Sequence, residues 1–293
     1  MTGRVHAWMP VSPCGSGCLP SHQSRVNLLT ALARSLVVLV ALASAPLLTA
    51  GRLLPAEPRR TLQRRYARTL LRCVGLRLTV VDRRDRRGYD GGILVVAPHV
   101  SWTDVLVLTA VAPAGFVARA DLLEWGVLGS LARRMRVIPI DRQRLRRLPE
   151  VVDRIRERLH AGERVAVFPE GTTWCGRAYG GFRSALFEAA IAAECPVQPV
   201  GLRYLDHVGE PTCGPAFVGD ESIVASMRRL IRSRGTVAEV VLAPLEWPGN
   251  DRRDLAARCE RAARADRPTR IGHKMLLPES TAAASGEVGA RYA

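Results

Sequence analysis

Lysine is all but missing from this chain. Lys274 is the single one among 43 lysines and arginines, so nearly all of the positive charge is guanidinium. Acidic residues are also short, 27 against those 43, which leaves a formal charge of +16. Such an excess points to an anionic partner: phosphate groups, anionic lipid or nucleic acid. GC-rich codon usage, which favours Arg, Ala, Gly and Pro, adds to it. Aromatic residues make up only 5% and do not interleave with the basic ones, and no recognition-module signature is present. Both absences argue against a nucleic-acid-binding protein, which stands as a minor alternative. There is no G-x-S-x-G elbow, which argues against the commonest serine hydrolases. A paired C-x-x-C framework is lacking too. The seven cysteines are scattered, and only Cys14 and Cys18 lie close together. They read as free thiols in a reducing compartment, and no metal and no cofactor is expected. A metal or disulfide role for Cys14 and Cys18 rests on two thiols alone.

The chain is long enough, at 293 residues, to bury a substantial core. Residues 1–25 are rich in Pro, Gly, Ser and Cys and are expected to be irregular. Residues 26–74 form an apolar and then basic region. Ser35 to Ala50 carries no charge over 16 residues, about 24 Å of helix against a hydrocarbon core of ~30 Å. Arg34 and Pro46 complicate a span that begins earlier. Ala43-Ser44-Ala45 resembles a signal-peptidase site, but the long stretch before it argues against a signal peptide. Arg52, Arg59, Arg60, Arg64, Arg65, Arg68, Arg72 and Arg77 follow. Positive charge beside an apolar segment marks the cytoplasmic side and holds to anionic headgroups. The region is therefore predicted to anchor the chain at the cell membrane, with the rest on the cytoplasmic face.

Beyond residue 75 short strand patterns alternate with helical ones. Strands are predicted at 76–81, 93–97, 116–118, 137–140, 164–168, 197–202 and 237–242. Helices are predicted at 57–72, 121–133, 148–159, 184–193, 221–232 and 253–263. The pattern implies an α/β domain over 75–265 with a mixed, mostly parallel central sheet flanked by helices. Residues 266–293 read as a mobile tail.

Three of these strands end in polar chemistry. Ile93 to Ala97 stops at Pro98, then come His99 and, five residues on, Asp104. A histidine titrates near neutral pH, and an aspartate about one helical turn away could hold its far nitrogen. The competing reading is a turn histidine beside a helix-start aspartate, which the macrodipole favours in any case. Val137 to Ile140 leads to Asp141-Arg142, where a planar guanidinium suits phosphate oxygens. One surface arginine among many is the plainer reading. Arg164 to Phe168 leads to Glu170-Gly171-Thr172. Glycine lets backbone approach a ligand, and N–H groups near Thr172 could bind an anion; a plain strand-end turn would look the same. In open α/β sheets ligands sit at such carboxyl ends.

In order, His99-x-x-x-x-Asp104, VIPIDR ending at Arg142, FPEGT at 168–172 and VQPVGLRY at 197–204 resemble the four motif blocks of the glycerolipid acyltransferases typified by 1-acylglycerol-3-phosphate acyltransferase. Arg119-Ala120-Asp121-Leu122 is similar to that family's basic-x-acidic-Leu segment. The resemblance covers roughly 75–205. Pro98 departs from the family's frequent Asn, Arg136 from its Gly and Thr173 from its Arg; these departures bear on the acceptor lipid. The resemblance implies acyl transfer from acyl-CoA or acyl carrier protein to the free hydroxyl of a lysophospholipid. The first acceptor is 1-acylglycerol-3-phosphate, giving phosphatidate; another lysolipid such as lyso-ornithine lipid is the alternative. His99 would be the general base and Asp104 its positioning partner. Arg142, Glu170, Gly171 and Thr172 would bind the acceptor phosphate, helped by Arg119. The expected partners are thus the lysolipid, the thioester donor and an anionic membrane surface, with no nucleic acid.

Overall fold

Ile93, Val95 and Ala97 join one apolar cluster and Leu94 and Val96 another. That alternation is what a strand buried on both faces requires, because successive side chains point to opposite sides of a sheet. The computed structural model describes residues 12–20, 24–50, 54–85, 89–141 and 144–265. Within them the chain runs through helices α1 (Leu28–Ala50) and α2 (Ala56–Cys73), strands β1 (Leu76–Asp82) and β2 (Ile93–Val96), α3 (Thr103–Val111) and β3 (Gly115–Arg119). It continues with α4 (Gly126–Arg134), β4 (Ile138–Ile140), α5 (Leu148–His160), β5 (Arg164–Val167) and α6 (Glu188–Ala192). It closes with β6 (Val197–Leu205), α7 (Ile223–Arg232), β7 (Thr236–Leu242) and α8 (Arg252–Arg264).

The strands form one seven-stranded sheet in the order β1-β7-β6-β2-β5-β3-β4. Every pairing is parallel except β6 with β7, so the mixed, mostly parallel sheet expected from the sequence is present. The two apolar clusters lie on its opposite faces. One takes Ala67, Leu71 and Val74 around α2, Val107 and Leu108 of α3, and Leu230 of α7. The other takes Val151, Ile155 and Leu159 of α5 with Leu255 and Cys259 of α8. The apolar spacing of α5 read from the sequence is thus its core face, and Gly162, at φ +73°, ends it.

Three differences from the expectation have local causes. Residues 121–133 are not one helix: a 3₁₀ turn at Ala120–Glu124 gives way to α4 at Gly126, whose φ of +43° interrupts the regular helix. β6 runs on to Leu205 because β7 pairs with it along Val200–Leu205. Residues 12–20 are partly built in: they contain a 3₁₀ turn, Ser16–Cys18, and Cys14 is buried. Residues 1–11 and the tail expected at 266–293 lie outside the described residues.

Among the described residues no helix is long and apolar enough to cross a membrane. Instead α1 lies along the domain. Ala31, Val38 and Ala41 are buried, and the Tyr66 hydroxyl of α2 donates to the Ala41 carbonyl. Arg34, the charge that complicated a span, donates from NH1 to the carbonyls of Ile231 and Ser233, 2.9 Å to each. These are the carbonyls left over at the end of α7, where a cation is favoured. Gly75 makes room for the guanidinium: a Cβ there would sit 2.4 Å from its NH1.

Candidate active site

Four adjacent strands at one side of the sheet decide where the chemistry gathers. β2, β5, β3 and β4 are consecutive and parallel, so their carboxyl ends share one edge of the sheet. His99 follows β2, Gly171 and Thr172 follow β5, Arg119 ends β3 and Asp141 follows β4. A cavity of about 850 Å³ opens at that edge, and all five of these residues line it. Its other walls are largely apolar: Trp102, Phe116, Leu122, Trp125, Ile140, Leu148 and Phe168.

His99 is held from several sides. Its Nδ1 lies 2.8 Å from Asp104 Oδ2. Its ring stacks on Phe168, centroids 4.0 Å apart and planes within 13°. Its backbone N–H donates to Glu170 Oε2 at 2.7 Å, and its carbonyl accepts from the Trp174 N–H at 2.8 Å. The cavity takes up what remains of the ring surface.

Asp104 sits in the first turn of α3 and is fully buried. Its Oδ2 also accepts the N–H groups of Val100 at 2.7 Å and Ser101 at 2.9 Å. Its Oδ1 accepts the Tyr204 hydroxyl at 2.6 Å. Thr103 Oγ1 lies 2.8 Å from that same hydroxyl. A buried charge is tolerated when hydrogen bonds surround it in this way. The ionised carboxylate is acceptor-only, so Nδ1 of His99 is the donor of their bond. That leaves Nε2 with a lone pair, able to take a proton from a group in the cavity. Burial pushes the Tyr204 hydroxyl far above the usual tyrosine range, and the charge of Asp104 adds to the shift.

The other sequence-predicted residues divide. Gly171, at φ +74°, takes a backbone form open to glycine and costly to side chains, and with Thr172 it faces the cavity. Glu170 is buried, 3% exposed. One oxygen serves the His99 backbone and the other accepts from Arg264 NH2 at 3.0 Å. Arg119 reaches the rim but is exposed, paired with Asp121 at 2.5 Å. Arg142 lies outside the described residues; its neighbour Asp141 lines the cavity.

Tyr204, Phe168, Trp174 and Arg264 went unassigned from the sequence. Tyr204 and Phe168 sit inside two of the recognised blocks, and position alone could have suggested them. Arg264 carried no signal among so many arginines. It is clamped by Glu260, lies 3.9 Å over the Tyr179 ring, and reaches Glu170 from the far end of the domain.

Known proteins resemble this chain. A family model described as Acyltransferase matches residues 77–203. The lyso-ornithine lipid O-acyltransferase of Rhizobium meliloti is 37% identical over 72% of this chain and 75% of its own length. The chain belongs to the acyltransferase family. The lyso-ornithine lipid O-acyltransferase of Pseudomonas aeruginosa is 36% identical to this acyltransferase over 59% of the chain and 66% of its own length. For the 1-acyl-sn-glycerol-3-phosphate acyltransferase of Neisseria gonorrhoeae the figures are 32%, 52% and 59%. The chain thus spans about two thirds or less of the length of two of these three relatives. The crystal structure of the 1-acyl-sn-glycerophosphate acyltransferase of Thermotoga maritima superposes with a TM-score of 0.59 at 16% identity, over 81% of this chain and 94% of that one. At that identity it shares the fold.

Proposed function

We propose that this acyltransferase moves a fatty acyl group from acyl-CoA or acyl carrier protein to the free hydroxyl of a lysolipid at a membrane surface, with His99 as general base. The observation that carries the reading is the His99–Asp104 pair. Its bond through Nδ1 leaves Nε2 outside that pairing, on a ring that lines a cavity whose walls are mostly apolar. Nε2 takes the proton of the acceptor hydroxyl as its oxygen attacks the thioester carbonyl. When the tetrahedral intermediate collapses, the C–S bond breaks and the imidazolium returns its proton to the departing thiolate. Asp104 fixes the tautomer and stabilises the imidazolium. The thioester supplies the leaving group, so the step requires neither a metal nor an acyl-enzyme.

The acceptor in this reading is 1-acylglycerol-3-phosphate, and the product phosphatidate. Arg142, with the Thr172 N–H and Arg119 at the rim, supplies positive charge and donors for the phosphate, and Gly171 lets the backbone approach it. Glu170 supports the site from behind, through the His99 backbone, rather than touching the lipid. A second acceptor, lyso-ornithine lipid, is favoured by the names of the relatives from Rhizobium meliloti and Pseudomonas aeruginosa.

The membrane contact follows from α1. Leu28, Leu29, Leu32, Leu36, Leu39 and Val40 are exposed on the side turned away from the domain. An apolar stripe on a helix that lies along its domain suits the plane of a bilayer interface. α1 also touches α4, and the turn just before α4 carries Leu122 and the exposed Trp125, both lining the cavity. A lysolipid held in the cytoplasmic leaflet of the cell membrane would then enter without leaving the bilayer.

The test is an assay of purified protein with labelled acyl-CoA and a panel of lysolipids, wild type beside His99→Ala. Loss of the general base should lower turnover by ~10²–10⁴-fold on whichever acceptor the wild type uses. Turnover near the wild-type rate in the variant would overturn the assignment, and the panel names the acceptor.

A further inference from the structure

Four of the seven cysteines come together in the folded chain. The sulfurs of Cys14, Cys18 and Cys175 all lie within 4.8 Å of one another. Cys213 adjoins that group, its thiol close enough to the Cys175 thiol for the two to interact electrostatically. Cys14, Cys175 and Cys213 are buried, and Cys18 is half-buried. All are free of disulfides. No histidine or carboxylate shares the cluster among the described residues.

From this convergence of four thiols we infer a structural zinc site, with Cys14, Cys18, Cys175 and Cys213 as its ligands. Each part of the geometry fits the ion. Two sulfurs bound at about 2.3 Å to one tetrahedral ion stand ~3.8 Å apart, within the spread of the three sulfurs here. Cys14 precedes a short turn, Ser16–Cys18, and Cys18 ends it; a spacing of three residues is among those zinc ligand pairs use. N–H groups already aim at the sulfurs: Cys175 N–H donates to Cys14 Sγ at 3.4 Å and Ala178 N–H to Cys175 Sγ at 3.4 Å. Such bonds favour the thiolate, the form a metal binds. An all-sulfur, four-coordinate donor set selects zinc over oxygen-seeking ions such as magnesium or calcium. Four protein ligands close the coordination sphere, which marks a structural and not a catalytic site.

The place of the site in the fold gives it a use. Cys175 follows the turn at Gly171–Thr172, Cys213 lies beyond β6, and Cys14 and Cys18 come from the chain's start. Next to them the Trp174 N–H bonds the His99 carbonyl at 2.8 Å, and the Phe217 N–H bonds the Val100 carbonyl at 2.9 Å. An ion here fastens the N-terminal segment across the two loops that back the His99 turn. Three segments distant in the chain are joined by metal–thiolate bonds.

The experiment is elemental analysis of the full chain, purified in detergent without chelator and supplied with zinc during expression. About one zinc per chain is expected for a closed four-thiolate site. Cys18→Ser and Cys213→Ser should each lose the metal, while Cys259→Ala, a buried thiol outside the cluster, should keep it. Exchange of the wild-type chain into cobalt(II) should give the ligand-field bands of a tetrahedral ion together with thiolate charge-transfer bands. This readout does not depend on the variants folding. A wild-type chain that retains no zinc under these conditions would overturn the site. So would a cobalt form without thiolate bands, or a disulfide among the four cysteines in non-reduced peptide maps. Acyltransfer does not enter any of these readouts, so the site stands or falls apart from the proposed function.

Discussion

A single buried carboxylate organises the reacting side of this protein. Asp104 accepts from two backbone N–H groups, the His99 ring and the Tyr204 hydroxyl. The first three partners lie within five residues, and so His99 and Asp104 were legible as a pair. Tyr204 lies 100 residues away and only the fold brings it in. Tyr204→Phe tests this contact. It leaves Asp104 Oδ1 without a donor, at a cost of about 1–3 kcal/mol, to be read as a lower denaturant midpoint at neutral pH. The variant also changes the alkaline limb. Burial beside Asp104 raises the folded-state pKa of Tyr204 above its unfolded value, which is about 10. Its contribution is therefore complete below about pH 10 and is lost as pH rises from there toward the folded pKa. The wild type should lose more stability than Tyr204→Phe as pH climbs past about 10. Parallel alkaline limbs in thermal melts would show that the hydroxyl does not face the carboxylate. The seven cysteines, four other tyrosines and one lysine also titrate in this range, but they are common to both proteins and cancel in the comparison.

At the scale of elements, what the sequence disclosed follows from locality. Strand ends carry their own signature, so the residues at the carboxyl ends of β2 and β5 are legible from the order of amino acids alone. That β2 lies between β5 and β6, and that β7 runs against β6 alone, depends on pairings no local pattern records. The same limit hid the thiol cluster: Cys14-x-x-x-Cys18 shows in the sequence, but Cys175 and Cys213 become its neighbours only through β5 and β6. Helix α1 is the sharpest case. Read alone, Arg34 is a defect in an apolar segment. In the fold it closes the end of α7, 197 and 199 residues further on. Arg34→Ala should therefore destabilise the domain rather than free a better membrane helix. Burial favours the neutral form of this guanidinium, but its two carbonyl partners repay the desolvation. Charged hydrogen bonds of this kind contribute about 1.5–3 kcal/mol. Chemical denaturation should show a loss of that order; an unchanged midpoint would mean that α1 does not dock on α7 in solution.

At the scale of the whole molecule, charge and apolar surface fall in the same region. α2 brings Arg65, Arg68 and Arg72 to the surface, all exposed, and α1, which packs against it, exposes leucines and valines that include Leu28, Leu29, Leu32, Leu36, Leu39 and Val40. The proposed contact with a membrane surface gives that stripe a use, whereas a spanning helix could not spare Ala31, Arg34 and Val38 for packing. A helix lying in one leaflet satisfies both demands, with arginines near the headgroups adding attraction for anionic lipid. Leu36 and Val40 are one helical turn apart, 63% and 61% exposed, and neither supports the core. Replacing both by Asp removes apolar area and adds repulsion from an anionic surface. Each side chain withdrawn from the acyl boundary loses about 1.5–3 kcal/mol, so partition onto phosphatidylglycerol vesicles should fall by on the order of 10²-fold or more. Turnover of a short-chain lysolipid dissolved as monomers should hardly change, because His99 and its partners are untouched. The bilayer-embedded acceptor should instead show a raised apparent KM. Vesicle co-sedimentation with the double variant indistinguishable from wild type would mean that the stripe faces something other than lipid.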